Sequence, residues 1–296
     1  VTADSSGGND NLLIVAPSRV MADRLERFLA VEKSLPLLGV HFHTFHSLAA
    51  AVVEEGGFPE GRALISDPAF HDAVIDRVLD RAPALGIAKE LRPKALASAV
   101  RASLRDLLDS GVDPRQIAEH FGSEILKDEE EAARLNALLA LLAAYEKELA
   151  RLGALAPSAL VRRAAELAAE SAWLSGFREI LYYGFYDLTG LQLDFFEAVT
   201  GARPSRLYFP YRKGHAAFRF CDEFFEQKLS GHFCESLDNR TGTALGPALD
   251  ALFNPAIRPL GPAGRVTVVS ASGERDEAWA AAKEVLRLSA AGIPYH

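Results

Sequence analysis

The 296-residue chain has two cysteines, Cys221 and Cys234, and one methionine. Two thiols are too few for a disulfide framework or a four-thiolate metal centre, so a reducing cytoplasm is the expected compartment. No apolar run approaches the roughly 18 residues of a membrane-spanning helix. No basic-then-apolar leader opens the chain, so a secretory signal is not expected. Positive charge is also in deficit: 32 Lys and Arg stand against 40 Asp and Glu, a formal net charge of -8. That balance argues against a whole-surface nucleic-acid binder and leaves room only for a local basic track. Gly-Lys-Ser and Gly-Lys-Thr, the core of a phosphate-cradling loop, do not occur. Ser5-Ser6-Gly7-Gly8 is glycine-rich without a lysine and reads as a linker. No Gly-x-Ser-x-Gly elbow recommends a hydrolase triad.

What is present is a β-α pattern broken by a long helical stretch. Asn11–Ala16 is a short apolar strand, and Ser18 is placed to cap a helix on which Val20, Leu25, Phe28 and Leu29 share a face. Val40–Thr44 alternates like a strand, and a helix from His46 to Glu55 ends at Gly56-Gly57. Residues 67–171 are rich in Ala, Leu, Arg and Glu at helical spacing, which predicts four or five helices and no strand. Strand and helix then alternate again: Glu179–Gly184, Leu188–Val199, Ser205–Phe209 and Ala216–Leu229. Residues 242–264 have the glycine and proline content of a linker. Arg265–Ser270 predicts a further strand and Glu274–Ala291 a long helix, in which Trp279 is expected in the core. The expected organisation is an α/β domain from 1–66 and 172–241, a helical insertion at 67–171, a linker at 242–264 and the start of a second α/β domain at 265–296. Val1 in place of Met, and an end straight after a helical pattern, suggest a piece of a longer protein.

Three stretches carry the functional reading. Thr44-Phe45-His46-Ser47-Leu48 lies where a strand becomes a helix, and Thr44 or Ser47 could cap that helix. The string also resembles a DNA-contacting motif of superfamily 1 helicases of the UvrD/Rep type. Those helicases carry a magnesium-binding turn, D-E-F-Q-D-T-N-P-L-Q. The corresponding run here is Tyr183-Gly184-Phe185-Tyr186-Asp187-Leu188-Thr189-Gly190-Leu191-Gln192. Phe185, Asp187, Leu191 and Gln192 match. The resemblance places the magnesium-holding Asp at Tyr183 and the water-polarising Glu at Gly184, and neither residue can do that work. Asp187 is expected to cap the following helix. The next helicase motif, G-D-x-x-Q-S-I-Y-x-F-R, falls on Phe209–Arg219. Phe218-Arg219 matches its end, and its phosphate-sensing Gln falls on Lys213.

Together with Ile14-Val15-Ala16-Pro17-Ser18-Arg19 and Ser270–Ala278, these phrases resemble the N-terminal part of the B subunit of AddAB/RexAB-type helicase–nucleases. The resemblance covers nearly the whole chain, with each motif degenerate. It implies a RecA-like, P-loop NTPase-like parallel sheet with a large helical insertion. It implies no ATPase activity and no cofactor in this region. It leaves ATP and magnesium to a phosphate loop upstream of Val1, and a PD-(D/E)xK nuclease domain to the chain beyond His296. The implied partners are DNA, as single strands or duplex ends, and the A-type subunit; a membrane is not among them. Gly201–Phe220 holds five basic residues and no acidic ones, interleaved with aromatic residues. Such a track can neutralise phosphates and stack bases. Phe45, His46, Arg212, Lys213, Phe218 and Arg219 are the candidate DNA contacts. Two other readings stand beside this one: a working DNA-dependent ATPase of the UvrD/Rep type, and an unrelated α/β protein that binds only proteins. His41, His43 and His46 are read as hydrogen-bonded histidines near a sheet edge rather than metal ligands.

Overall fold

A computed structural model describes residues 11–81, 94–111, 129–232, 234–235 and 269–294. The chain divides into two compact units, 1–211 and 212–296.

The first unit is built on a parallel four-stranded sheet. Its strands are β1 (Leu12–Ala16), β2 (Val40–Thr44), β5 (Glu179–Tyr183) and β6 (Ser205–Tyr208), in the order β2-β1-β5-β6. β1 is apolar throughout because both its faces are covered, the usual condition of an inner parallel strand. The register pairs Leu12 with Val40 and Glu179, and Tyr183 with Tyr208. A two-stranded parallel pair, β3 (Ala63–Leu64) and β4 (Ala154–Leu155), lies outside this sheet. β4 falls inside the stretch expected to hold no strand. Two residues are too few to register as an alternating pattern, and their partner is 91 residues upstream in the register Ala63 to Ala154.

Each crossover is a helix. α1 (Arg19–Arg27) continues as one turn of π-helix, Phe28–Glu32, and packs on β1 and β2. Its N-cap is Ser18, whose Oγ accepts from the Met21 N–H at 3.2 Å. The expected apolar face is only half made: Leu25 and Leu29 are partly buried, Ala22 is fully buried, and Val20 is 78% exposed. α2 (Phe45–Gly56) begins with a reciprocal capping box between Thr44 and Ser47, so both candidate caps are used. It ends at Gly57, whose φ of 67° suits glycine.

α3 (Pro68–Arg81), α4 (Lys94–Ser110) and α5 (Glu129–Arg151) form a helical layer with its own core of Val74, Ile75, Val78, Leu104, Leu141, Leu142 and Tyr145. His71 bridges it, with Nδ1 2.7 Å from the Tyr145 hydroxyl and Nε2 2.7 Å from the Ile65 carbonyl. Burial pushes the Tyr145 phenol up to about 12, so it stays protonated. α6 (Ser158–Leu167) lies within the 67–171 stretch, yet its Leu160 and Ala164 pack into the sheet core with α2. α7 (Ala172–Ser175) is a single turn held by Glu55 of α2. That carboxylate accepts from Ser171 Oγ at 2.7 Å and from the Ala172 and Trp173 amides. α8 (Gly190–Ala202) closes the core with Phe195 and Val199.

A helix on the far face after β1 and one on the core face after β5 is what right-handed crossovers produce when strand order reverses. The reversal lies between β1 and β5. Leu13, Val15, Ile180 and Tyr182 point to the face covered by α2, α6 and α8. Ile14, Leu181, Tyr183, Arg206 and Tyr208 take the opposite side by alternation.

In the second unit, Ala216–Leu229 is helical throughout but irregular: a 3₁₀ stretch, a short α segment and a π turn. α9 (Glu274–Ala290) carries no buried residue. Trp279, expected in the core, is 66% exposed. Its helical spacing describes an apolar stripe, and no described residue of this unit covers it. The 242–264 linker, and the predicted 265–270 strand apart from Val269 and Ser270, fall outside the described residues, as does Ser5–Gly8.

Candidate nucleic-acid interface

Parallel α/β sheets bind ligands outside the carboxyl ends of their strands, where the strand order reverses. Here that place is framed by Ala16-Pro17-Ser18 after β1 and Tyr183-Gly184-Phe185 after β5. Gly184 has φ +84°, the left-handed conformation that favours glycine. A Cβ added there would meet Met21 Sδ at 2.7 Å and Pro17 Cδ at 3.6 Å. The first turn of α1 therefore occupies the space into which an acidic side chain at residue 184 would project.

Tyr183 stands at the open end of β5, 44% exposed. Its ring lies 6.4 Å from that of its register partner Tyr208, at 57°. Tyr186 is 50% exposed, and Phe209 and Tyr211 pair at 5.9 Å and 37°. Tyr182 points the other way and is fully buried, its ring against Phe45, Phe185 and Phe196. Burial raises its phenol pKa further, which removes it from proton chemistry.

The residues singled out by sequence fall into distinct places. Phe45 is not a surface residue: it is 5% exposed and packs edge-on against Phe185 and Phe195 at 5.6 Å. An aromatic residue at the start of α2 is drawn inward because the capping box turns that helix onto the sheet core. His46, next to it, is exposed. Asp187 does not cap α8. The helix starts later, at a Thr189–Gln192 capping box in which the Thr189 N–H donates to Gln192 Oε1 at 3.1 Å. Gln192 is thus spent on local structure, and the Thr-x-x-Gln spacing carried that signal.

In the second unit Arg212, Lys213 and Arg219 are exposed and Phe218 is half-buried against His215. Lys213 pairs with Glu226 at 2.6 Å, and that carboxylate raises its pKa. A lysine so held carries full charge at neutral pH.

The histidines behave as local structure. His43 Nδ1 lies 3.2 Å from Ser47 Oγ, and its ring meets Trp173 edge-on at 5.4 Å. Burial is the main cause that holds its pKa below the usual value, with the His41 and Arg19 charges adding to it. Among the described residues no group of three or more His, Cys, Asp or Glu is placed to hold a metal ion. No described helix is long and apolar enough to cross a membrane. A groove of about 160 Å³ in the helical layer, with Arg62, Ser158 and Arg162 at its edge, is smaller than the roughly 300 Å³ at which ligand clefts begin.

Met21 was not legible as part of this site, because its contact with Gly184 spans the whole helical insertion. The chain matches no protein-family model and none of the curated proteins.

Proposed function

We propose that this chain is a helicase-like, catalytically silent DNA-binding module of the B subunit of an AddAB/RexAB-type helicase–nuclease. On this reading the sheet is RecA-like and the protein is cytoplasmic. It works in recombination and DNA repair beside an A-type motor subunit. The observation that carries the reading is the end of β5. The strand occupies the position of a magnesium-binding strand in the proposed fold, yet it ends in an exposed tyrosine and a glycine crowded by Met21. The strand order and the helical stretch between β2 and β5 support it, as does the Thr44–Ser47 box at the head of α2.

The role that follows is guidance of a single strand, with no nucleotide hydrolysis in this region. Arg212, Lys213 and Arg219, exposed in the second unit, supply phosphate contacts. The test is binding of a fluorescent oligothymidylate to the full chain across a salt series. The Arg212→Ala/Lys213→Ala/Arg219→Ala variant should bind more weakly, with a salt slope reduced by about 2, at about 0.7 for each phosphate no longer neutralised. Absence of binding, or an unchanged slope in the variant, overturns the proposal.

A further inference from the structure

The helical layer carries positive charge that its own packing does not consume. Arg77 and Arg81 lie one turn apart on α3, and Arg151 is in the last turn of α5. All three converge on Glu148, whose side chain is 9% exposed while theirs are half or more open. Arg151 alone matches the carboxylate fork, with Nε donating to Oε2 and Nη2 to Oε1. Arg77 Nη1 adds a third hydrogen bond at 3.1 Å. Arg81 Nη1 stands 3.7 Å from Oε2, too far for a fourth, and Arg81 makes no hydrogen bond among the described residues.

Three positive charges therefore face one negative charge. Glu148 stays ionised at neutral pH, because the Arg151 and Arg77 hydrogen bonds hold its pKa down to about 2. Asp76, Asp80 and Glu146 are exposed neighbours in sequence, and none is ion-paired with any of the three arginines. A helix C-terminus favours a basic residue in its last turn, which accounts for Arg81 and Arg151 singly. It does not account for three guanidiniums drawn towards one carboxylate, where they repel one another. Sharing the oxygens of Glu148 fixes where they stand: Arg77 and Arg151 meet at Oε1, Arg81 and Arg151 at Oε2. Each guanidinium is a planar fork of N–H donors, and Glu148 takes only two from Arg151 and one from Arg77.

We infer that Arg77, Arg81 and Arg151, ordered by Glu148, form a binding site for a phosphate group on the helical layer. A second anion offsets the repulsion that Glu148 leaves, and guanidinium forks match phosphate oxygens in geometry as well as in charge. The site goes beyond the DNA contacts assigned above, which lie in the second unit, and stands without them. A free phosphate and a phosphate of a DNA backbone present the same oxygens, so the experiment separates the two sources.

Arg81→Gln is the informative variant, because it leaves all three hydrogen bonds of Glu148 in place. Calorimetric titration of inorganic phosphate into the full chain, at fixed ionic strength, should show saturable binding. Arg81→Gln should weaken that binding about tenfold or more, the usual cost of a charged hydrogen bond. Arg105→Gln removes a charge from the same layer, at a residue paired with Asp106 and not with Glu148, and should change it less than about twofold. No binding by the wild type, equal affinity in Arg81→Gln, or equal weakening in Arg105→Gln overturns the site. Oligothymidylate then identifies the source. A salt slope about 0.7 smaller in Arg81→Gln than in the wild type gives the phosphate to a DNA backbone. An unchanged slope beside weakened phosphate binding keeps the site and gives it to a free phosphate. Absence of oligothymidylate binding removes the DNA reading and leaves this site standing.

Discussion

Met21 Sδ lies 2.7 Å from where a Cβ on Gly184 would sit, although the two residues belong to opposite ends of the sheet's sequence. A flexible thioether can swing aside, so the clash alone is cheap. The backbone is less forgiving, because φ +84° strains any side chain.

Installing the acidic pair of the proposed family should therefore fail. Tyr183→Asp/Gly184→Glu is expected to lose about 1–2 kcal/mol of stability from the left-handed residue. It should gain no magnesium-dependent rise in melting temperature. Urea unfolding and thermal shifts with and without Mg²⁺ check both parts. A clear magnesium stabilisation would mean that the strand end can accommodate an ion.

Phe45 and His46 are neighbours in sequence and opposites in environment. Phe45→Ala should cost about 3–5 kcal/mol, the usual penalty for emptying a buried phenylalanine site. His46→Ala should leave the unfolding midpoint within the small range of surface substitutions. Equilibrium denaturation of the two variants checks this. A Phe45→Ala protein as stable as wild type would show that the ring is not part of the core.

Glu148 is the one buried carboxylate among the described residues. Arg151 contacts it through two nitrogens at 2.9 and 3.0 Å, Arg77 at 3.1 Å, and Arg81 at 3.7 Å. The Arg151 and Arg77 hydrogen bonds hold its pKa down to about 2. The unfolded value is near the ordinary glutamate figure of about 4.3. The folded state therefore binds the proton less readily. The resulting stabilisation is complete above about pH 4.5 and is lost as pH falls towards 2. Wild-type urea midpoints should fall across that window. Those of Glu148→Gln should start lower at neutral pH and fall less. Parallel slopes would remove Glu148 from the acid response.

The strands were the most legible part of the fold. β1 and β2 carry their own signatures, an apolar run and a clean alternation, and a strand reads locally. The β3–β4 pair was not legible, because two residues have no periodicity and their pairing is non-local. The Thr189–Gln192 box is legible in its spacing, but Asp187, two residues earlier, offers a commoner capping carboxylate and competes with it as a signal. Phe45 misled because a motif resemblance says nothing about the direction a side chain takes. That direction is set by α2 packing against Phe185 and Phe195, far along the chain. Trp279 misled for the converse reason: helical spacing reveals a stripe, not what covers it.

Gly190 and Gly111 carry a mechanical corollary. A Cβ on Gly190 would overlap the Ser110 carbonyl, and one on Gly111 would come within 2.8 Å of Leu191 Cδ2. The last turn of α4 and the first turn of α8 thus meet backbone to backbone at Gly190, with the Leu191 side chain seated on Gly111 beside it. The three-helix layer and the helix that joins β5 to β6 meet here at the closest spacing their backbones allow. A side chain at either glycine would have to push the two helix ends apart.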